Sequence, residues 1–171
     1  MMLKQRMVDA LNEQLISEFG ASSQYVAAAV YFDESVLPEL AHFFYRQAEE
    51  ERMHAMKIVH FLLETGSKPT IPATPEVRNE FDSPEDVVQM ALDQEVKVTE
   101  EINNLMRIAQ EEGDYTTQSF LQWFVDEQVE EVDTMTSLLQ TIRHAGGNLL
   151  WVEDYVRRNP QHGGDVAGET D

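Results

Sequence analysis

The strongest constraint in this sequence is a proline-rich segment, residues 66–82, set between two pairs of helix-patterned stretches. In residues 3–32, apolar groups recur at Leu3, Met7, Leu11, Leu15, Phe19, Val26 and Val30, a spacing that marks one helical face. A turn is expected at Asp33–Leu37, and Pro38 suits the first turn of a second helix over 38–64. That helix places Leu40, Phe43, Phe44, Ala48, Ala55, Ile58, Val59 and Leu62 on its apolar side, and Gly66 is a stop signal. Ser83-Pro84-Glu85 reads as an N-cap, an N1 proline and a first-turn acid, opening a third helix that runs to about 111. Gly113-Asp114 separates it from a fourth helix over about 115–145, which Gly146-Gly147 ends. Residues 148–158 fit a short fifth helix. From Pro160 onward the chain is polar and Gly-rich, so a domain is expected over 1–158 and a flexible tail over 159–171.

Linker length turns these elements into a topology. Helices of about 28 residues are about 42 Å long. Tight turns join the first helix to the second and the third to the fourth, so each pair is antiparallel. The proline-rich linker has 17 residues, and at about 3.1 Å per residue it reaches about 50 Å. It can therefore travel the length of the bundle and leave the second and third helices parallel. The expected fold is all-α: a four-helix bundle with one long crossover, plus a short C-terminal fifth helix.

The chain also contains itself twice, at an offset of 77 residues. Glu18 is followed after 33 residues by Glu51, and three later by His54; Glu95 is followed after 33 by Gln128, and three later by Glu131. Glu50 aligns with Glu127, and the turn at Asp33–Val36 aligns with Gln110–Gly113. This reads as two related helical hairpins about a pseudo-twofold axis. Residues i and i+3 share a helix face, so Glu51 with His54, and Gln128 with Glu131, each aim at one spot. All six groups then converge near the bundle axis. Carboxylates without cations are costly to bury, so a metal accounts for them best. Hard oxygen donors with one nitrogen and no sulfur suit Fe or Mn better than Cu(I) or structural Zn. A lone Glu-x-x-His pair is usually solvated helix face. Glu39 and His42 have that spacing too, but their repeat partners are Thr116 and Ser119, and they read as surface.

Composition narrows the function classes. With 32 Asp+Glu against 12 Lys+Arg, the 171-residue chain has a net charge of −20 and only four Lys. A duplex nucleic-acid binder needs a basic face that this balance does not provide. No cysteine is present, which removes disulfide scaffolds, zinc ribbons, Fe–S proteins and thiol enzymes. The longest apolar run, Tyr25–Phe32, is too short to cross a bilayer. The first 24 residues include Lys4, Arg6, Asp9, Glu13 and Glu18 with no apolar core segment, so no signal peptide and a cytoplasmic location are expected. The acid surplus has two meanings, a cation-handling field and a solvated surface adapted to high salt. The candidate ligands are too few to absorb it, so both meanings are expected, with a halophilic source. An assembly that dissociates at low salt would support the second.

At these residues the chain resembles the bacterial and archaeal non-haem ferritins. The carrying segments are Asn12-Glu13-Gln14 through Glu18 and Tyr25, Ala48-Glu49-Glu50-Glu51-Arg52-Met53-His54, Asp93-Gln94-Glu95, and the run from Phe120 to Glu131. The resemblance covers about residues 3–158 and implies a ferritin-like bundle. It implies that Glu18, Glu51 and His54 hold one iron and that Glu51 bridges to a second held with Glu95. Gln128 and Glu131 complete the surroundings. It further implies a third iron site at Glu50, Glu127, Glu130 and Glu131, facing a cavity. Tyr25 and Trp123 would sit close to the irons and donate electrons, though core packing explains both as well. The activity implied is oxidation of Fe(II) by O2 or H2O2 and storage of ferric mineral inside a homo-oligomeric cage of 24 subunits, with no nucleic acid or membrane partner. Glu131 stands where a bacterioferritin has His, and Arg52 stands where its haem-ligating Met would be, so no haem is expected. Two other readings stay open: a soluble di-iron or di-manganese oxidase without storage, and a non-catalytic acidic bundle. The apolar residues of 148–158, including Leu149, Leu150, Trp151, Val152, Tyr155 and Val156, favour a cage, where a fifth helix packs around a fourfold axis. Docking of that helix onto its own bundle is the alternative.

Overall fold

Helix boundaries follow local capping chemistry. The computed structural model describes residues 3–160; most of the tail expected over 159–171 lies outside the described residues. Among them are five helices: α1 (Gln5–Glu34), α2 (Pro38–Glu64), α3 (Pro84–Glu112), α4 (Tyr115–Ala145) and α5 (Leu149–Arg158). Ser83 caps α3 by accepting from the Asp86 N–H, with Pro84 at N1. Asp114 accepts from Thr117 N–H to open α4, and Asn148 accepts from Trp151 N–H to open α5. Gly113 and Gly146 end α3 and α4 in the left-handed region, at φ 65° and 56°, where a Cβ would be strained. The first helix runs to Glu34, two residues past the expected 32.

Side-chain contacts define the packing directions. Ser22 donates to Ala48 O and Tyr45 donates to Asp33, so α1 and α2 run antiparallel. Arg143 pairs with Glu85 while Gln128 reaches Glu95, so α3 and α4 are antiparallel too. Arg6 pairs with Glu111, and Tyr25 bonds to Glu95, which sets α1 against α3. His54 meets Trp123 and Phe61 stacks on Phe120, which sets α2 against α4. The second and third helices are therefore parallel, as the long crossover requires.

The crossover is tied along α1. Asn12 accepts from Thr70 N–H and donates to Lys68 O. Gln24 makes the same reciprocal pair with the backbone of Arg78. Between them Gly20 lets the strap lie close, since a Cβ there would stand 3.3 Å from Pro75 Cδ.

Burial departs from expectation on α1. Val26 and Val30 were expected on its apolar face, yet they are 43% and 42% exposed. The face that packs carries Ala21, Tyr25, Ala28, Ala29 and Phe32; small alanines admit α2 closely, and the valines lie outside that contact. The interior is divided. One apolar cluster joins Tyr25, Phe32, Phe44, Ala91, Met135 and α5 residues; the other joins Met7, Leu11, Ile58, Ile102, Leu121 and their neighbours. Each fully buried Phe, Leu or Met contributes about 1.5–3 kcal/mol. On all four long helices the gap between the clusters falls at the repeated polar positions: Glu18, Glu51 with His54, Glu95, and Gln128 with Glu131.

Candidate metal centre

The polar waist is almost dry. Glu18 is 0% exposed, Glu51, His54 and Glu95 are 1%, and Glu131 is 4%. Four carboxylates at this depth face one imidazole. Unpaired charge in such a place is expensive, and the protein's own groups neutralise little of it. His54 Nδ1 lies 3.5 Å from Glu51 Oε2 and 3.7 Å from Glu18 Oε2. On the other side of the ring, Nε2 lies 3.8 Å from Glu127 Oε1.

Two groups of three donors result. Glu18, Glu51 and His54 offer ligand atoms within 4.8 Å of one another, and so do His54, Glu127 and Glu131. The imidazole is common to both. Glu95 joins neither group. Its Oε1 accepts from Tyr25, and its Oε2 accepts from Gln128 Nε2 at 3.2 Å. Gln128 also donates to Glu95 O and Thr99 Oγ1, so in this arrangement its amide holds a carboxylate.

The orphaned atoms test whether a metal fits. Glu18 Oε2, Glu51 Oε1, Glu131 Oε2 and His54 Nε2 are buried without a hydrogen-bond partner. Buried polar atoms are otherwise nearly always paired. Here they are lone-pair donors or an imidazole nitrogen, gathered in one layer, which is the donor chemistry a hard divalent cation requires. Gln47, fully buried one turn before Glu51, also has both amide atoms unpartnered.

Proton affinities reflect the same crowding. Burial, then the charge of Glu95, pushes the Glu51 carboxyl well above its usual range. Burial, then Glu95 and Glu50, does the same to Glu131. Glu95 is raised by burial against the hydrogen bond from Tyr25. Burial pulls His54 downward, but Glu51, with Glu127 and Glu18, overrides it and holds the imidazole well above its ordinary value. Burial, then Glu95, keeps the Tyr25 phenol protonated.

The remaining expected residues occupy one side of the waist. Glu50, Glu127, Glu130 and Glu131 all line a cavity of about 820 Å³, together with Asp133 and Arg158. Burial and then the nearby His54 act in opposite senses on Glu50, and its pKa is raised. Trp123 meets His54 edge-on at 5.3 Å, and Lys57 stands 4.3 Å over its ring. Sequence reasoning gave no role to Thr99, Gln14 or Gln47. Gln14 carries no repeat signal, Thr99 answers only to the hydroxyl of Ser22, and Gln47 shows only as a polar residue on a buried face.

The comparisons with known proteins agree with this geometry. A family model described as the ferritin-like domain matches residues 8–145. The chain is 49% identical over 148 residues to ferritin BfrB of Mycolicibacterium smegmatis, covering 86% of this chain and 82% of that protein. It is 37% identical over 145 residues to the bacterial non-heme ferritin of Staphylococcus haemolyticus, covering 85% and 87%. An open-pore ferritin from Archaeoglobus fulgidus superposes with a TM-score of 0.87 at 34% identity, covering 90% of this chain and 96% of that one. Helix order, polar waist and relatives lead to one conclusion: this chain belongs to the ferritin family.

Proposed function

We propose that this protein oxidises Fe(II) to Fe(III) at the waist and stores the ferric product inside a homo-oligomeric cage of 24 subunits. The observation that carries the reading is the set of buried, unpartnered carboxylate oxygens on Glu18, Glu51 and Glu131 around His54. Iron is substrate and cargo here. Glu18, Glu51 and His54 Nδ1 would take one Fe(II), and Glu51 with Glu95 a second, with Gln128 and Glu131 beside them. Two Fe(II) give one electron each, so a pair together with two protons reduces O2 to hydrogen peroxide, or H2O2 to two waters.

The residues handle charge and protons. In the metal-free site Glu51, Glu131 and His54 hold protons more tightly than they would in water. Incoming cations displace those protons, so uptake of Fe(II) releases acid. Glu50, Glu127 and Glu130, with Glu131, would offer Fe(III) a third site on its way to the storage space. Tyr25, bonded to Glu95, and Trp123, set against His54, would supply further electrons. No haem is expected, and the domain is read as 1–158. Among the described residues no helix is long and apolar enough to cross a membrane; we read the protein as cytoplasmic and its remaining surface acids as adaptation to high salt.

Exposed Leu150 and Trp151 on α5, with Val26, Val30 and Val129 on the long helices, leave apolar surface that subunit contacts would cover. Aerobic Fe(II) loading of the assembled protein tests the reading. Tens or more of iron per subunit are expected; two or three would indicate a di-iron or di-manganese oxidase without storage. Replacing Glu51 and His54 together by Ala should abolish rapid oxidation, and an unchanged initial rate would sink the assignment.

A further inference from the structure

We infer that Gln14 is a positioning residue for the proposed iron site: its amide clamps one oxygen of Glu18 so that the other is presented to the metal. The inference rests on the waist being a metal centre and names a residue outside its ligand set. Gln14 Nε2 donates to Glu18 Oε1 at 2.8 Å, one helical turn away and buried. That leaves Glu18 Oε2 unpartnered and 3.7 Å from His54 Nδ1. One oxygen is fixed and its twin faces the site, the arrangement of a carboxylate that binds through a single atom.

The opposite carboxylate is also held by an amide, but with Tyr25 on its other oxygen. Glu95 accepts Gln128 Nε2 on Oε2. The two amides are not repeat partners: 77 residues after Gln14 stands Ala91, and 77 before Gln128 stands Glu51. Each half of the bundle thus fixes its lone acid by an independent route, α1 from within its own helix and α3 from α4. Such hydrogen bonds set a ligand's orientation and basicity.

Gln14 also divides the centre from solvent. A pocket of about 340 Å³ between α1 and α3 is lined by Glu13, Gln14, Ser17, Lys97 and Glu101 among others. Glu101 Oε2 receives a longer bond from Gln14 Nε2 at 3.4 Å, and Glu101 Oε1 lies 3.5 Å from Lys97 Nζ. The shorter, buried bond to Glu18 is the stronger of the two, so the amide should act mainly inward.

The test is anaerobic Co(II) titration of the assembled protein, read by its visible absorption, with the parent, Gln14→Met, Gln14→Glu and Glu101→Gln. Met keeps the volume and removes the donor; Glu sets a second carboxylate against Glu18. For Gln14→Met the expected result is about tenfold to hundredfold weaker binding of one Co(II) with an altered band shape, while helix content and assembly mass are kept and the metal-free unfolding midpoint falls only by the lost buried hydrogen bond. Gln14→Glu should lose the same band, and Glu101→Gln should bind within about twofold of the parent. Parental affinity and spectrum in Gln14→Met would overturn the inference, as would a Glu101→Gln variant that reproduces its loss. A parent protein that takes up no Co(II) would overturn the metal-centre reading itself, and the inference with it.

Discussion

Truncating Glu153 should weaken the whole subunit from a residue outside the polar waist. The N-terminus of α2 has no cap of its own, because Leu37 stands at the N-cap and offers no side-chain acceptor. Pro38 brings no N–H, so the first free donors are the amides of Glu39 and Leu40. Both point at one carboxylate on α5: Glu153 Oε1 accepts from Glu39 N–H at 3.1 Å, and Oε2 accepts from Leu40 N–H at 2.8 Å. Glu153 is 9% exposed and Leu40 is fully buried, so water does not readily replace the lost acceptor. A lost N-cap costs about 0.5–2 kcal/mol, and a hydrogen bond to a charged group contributes about 1.5–3 kcal/mol. Since these measures overlap, Glu153→Ala should cost about 2–3 kcal/mol in all. For a chain of this size that is a fall of about 4–12 °C in Tm. Glu153→Gln keeps one acceptor and should lose about half as much. Thermal unfolding of the metal-free protein, with amide hydrogen exchange at Glu39 and Leu40, measures both. A Glu153→Ala protein that melts with its parent refutes the reasoning; so does one that melts lower while those two amides keep their protection.

Three further outcomes follow from the site and the caps. Glu51, Glu95, Glu131 and His54 all have raised proton affinity when folded, so the metal-free fold binds more protons than the unfolded chain. Its stability should therefore fall as pH rises above the ordinary carboxylate value of 4.5. Melting at several pH values checks this, and Glu131→Gln should flatten the slope. Zn(II) at about a hundred times its dissociation constant should add about 2.7 kcal/mol, seen as a higher midpoint that the double Glu51→Ala, His54→Ala variant does not show. Ser83→Ala removes the α3 cap and should cost about 1 kcal/mol, read by urea denaturation.

Much of this arrangement is visible in the amino-acid order. Proline, glycine and capping residues punctuate the chain so clearly that α2 and α4 match their expected bounds, and the other helices differ by a residue or two at most ends. The six waist residues were legible because the duplication repeats their spacing, and spacing within a helix determines which groups share a face. What the order of residues hides is contact between distant segments. Glu153 looks like any acid on a short helix until α5 is laid against the start of α2. Asn12 and Gln24 look like surface amides until the crossover lies along α1. Gln14 has no counterpart in the second half, so the duplication gives no notice of it. The outward turn of Val26 and Val30 depends on which side of α1 the alanines let α2 approach, and periodicity alone treats all apolar groups alike.

The strap between the two hairpins has a consequence for partner choice among copies. A loose connection of this length would let the α3–α4 hairpin of one molecule close on the α1–α2 hairpin of another. Such exchange is cheap when the swapped contacts are identical. Here Asn12 and Gln24 seize the backbone at Lys68, Thr70 and Arg78, and Gly20 accepts Pro75 between them. The strap is thereby laid down on its own α1 before it reaches α3. Each subunit then enters any assembly as a self-contained unit, with every donor group of its waist drawn from one chain.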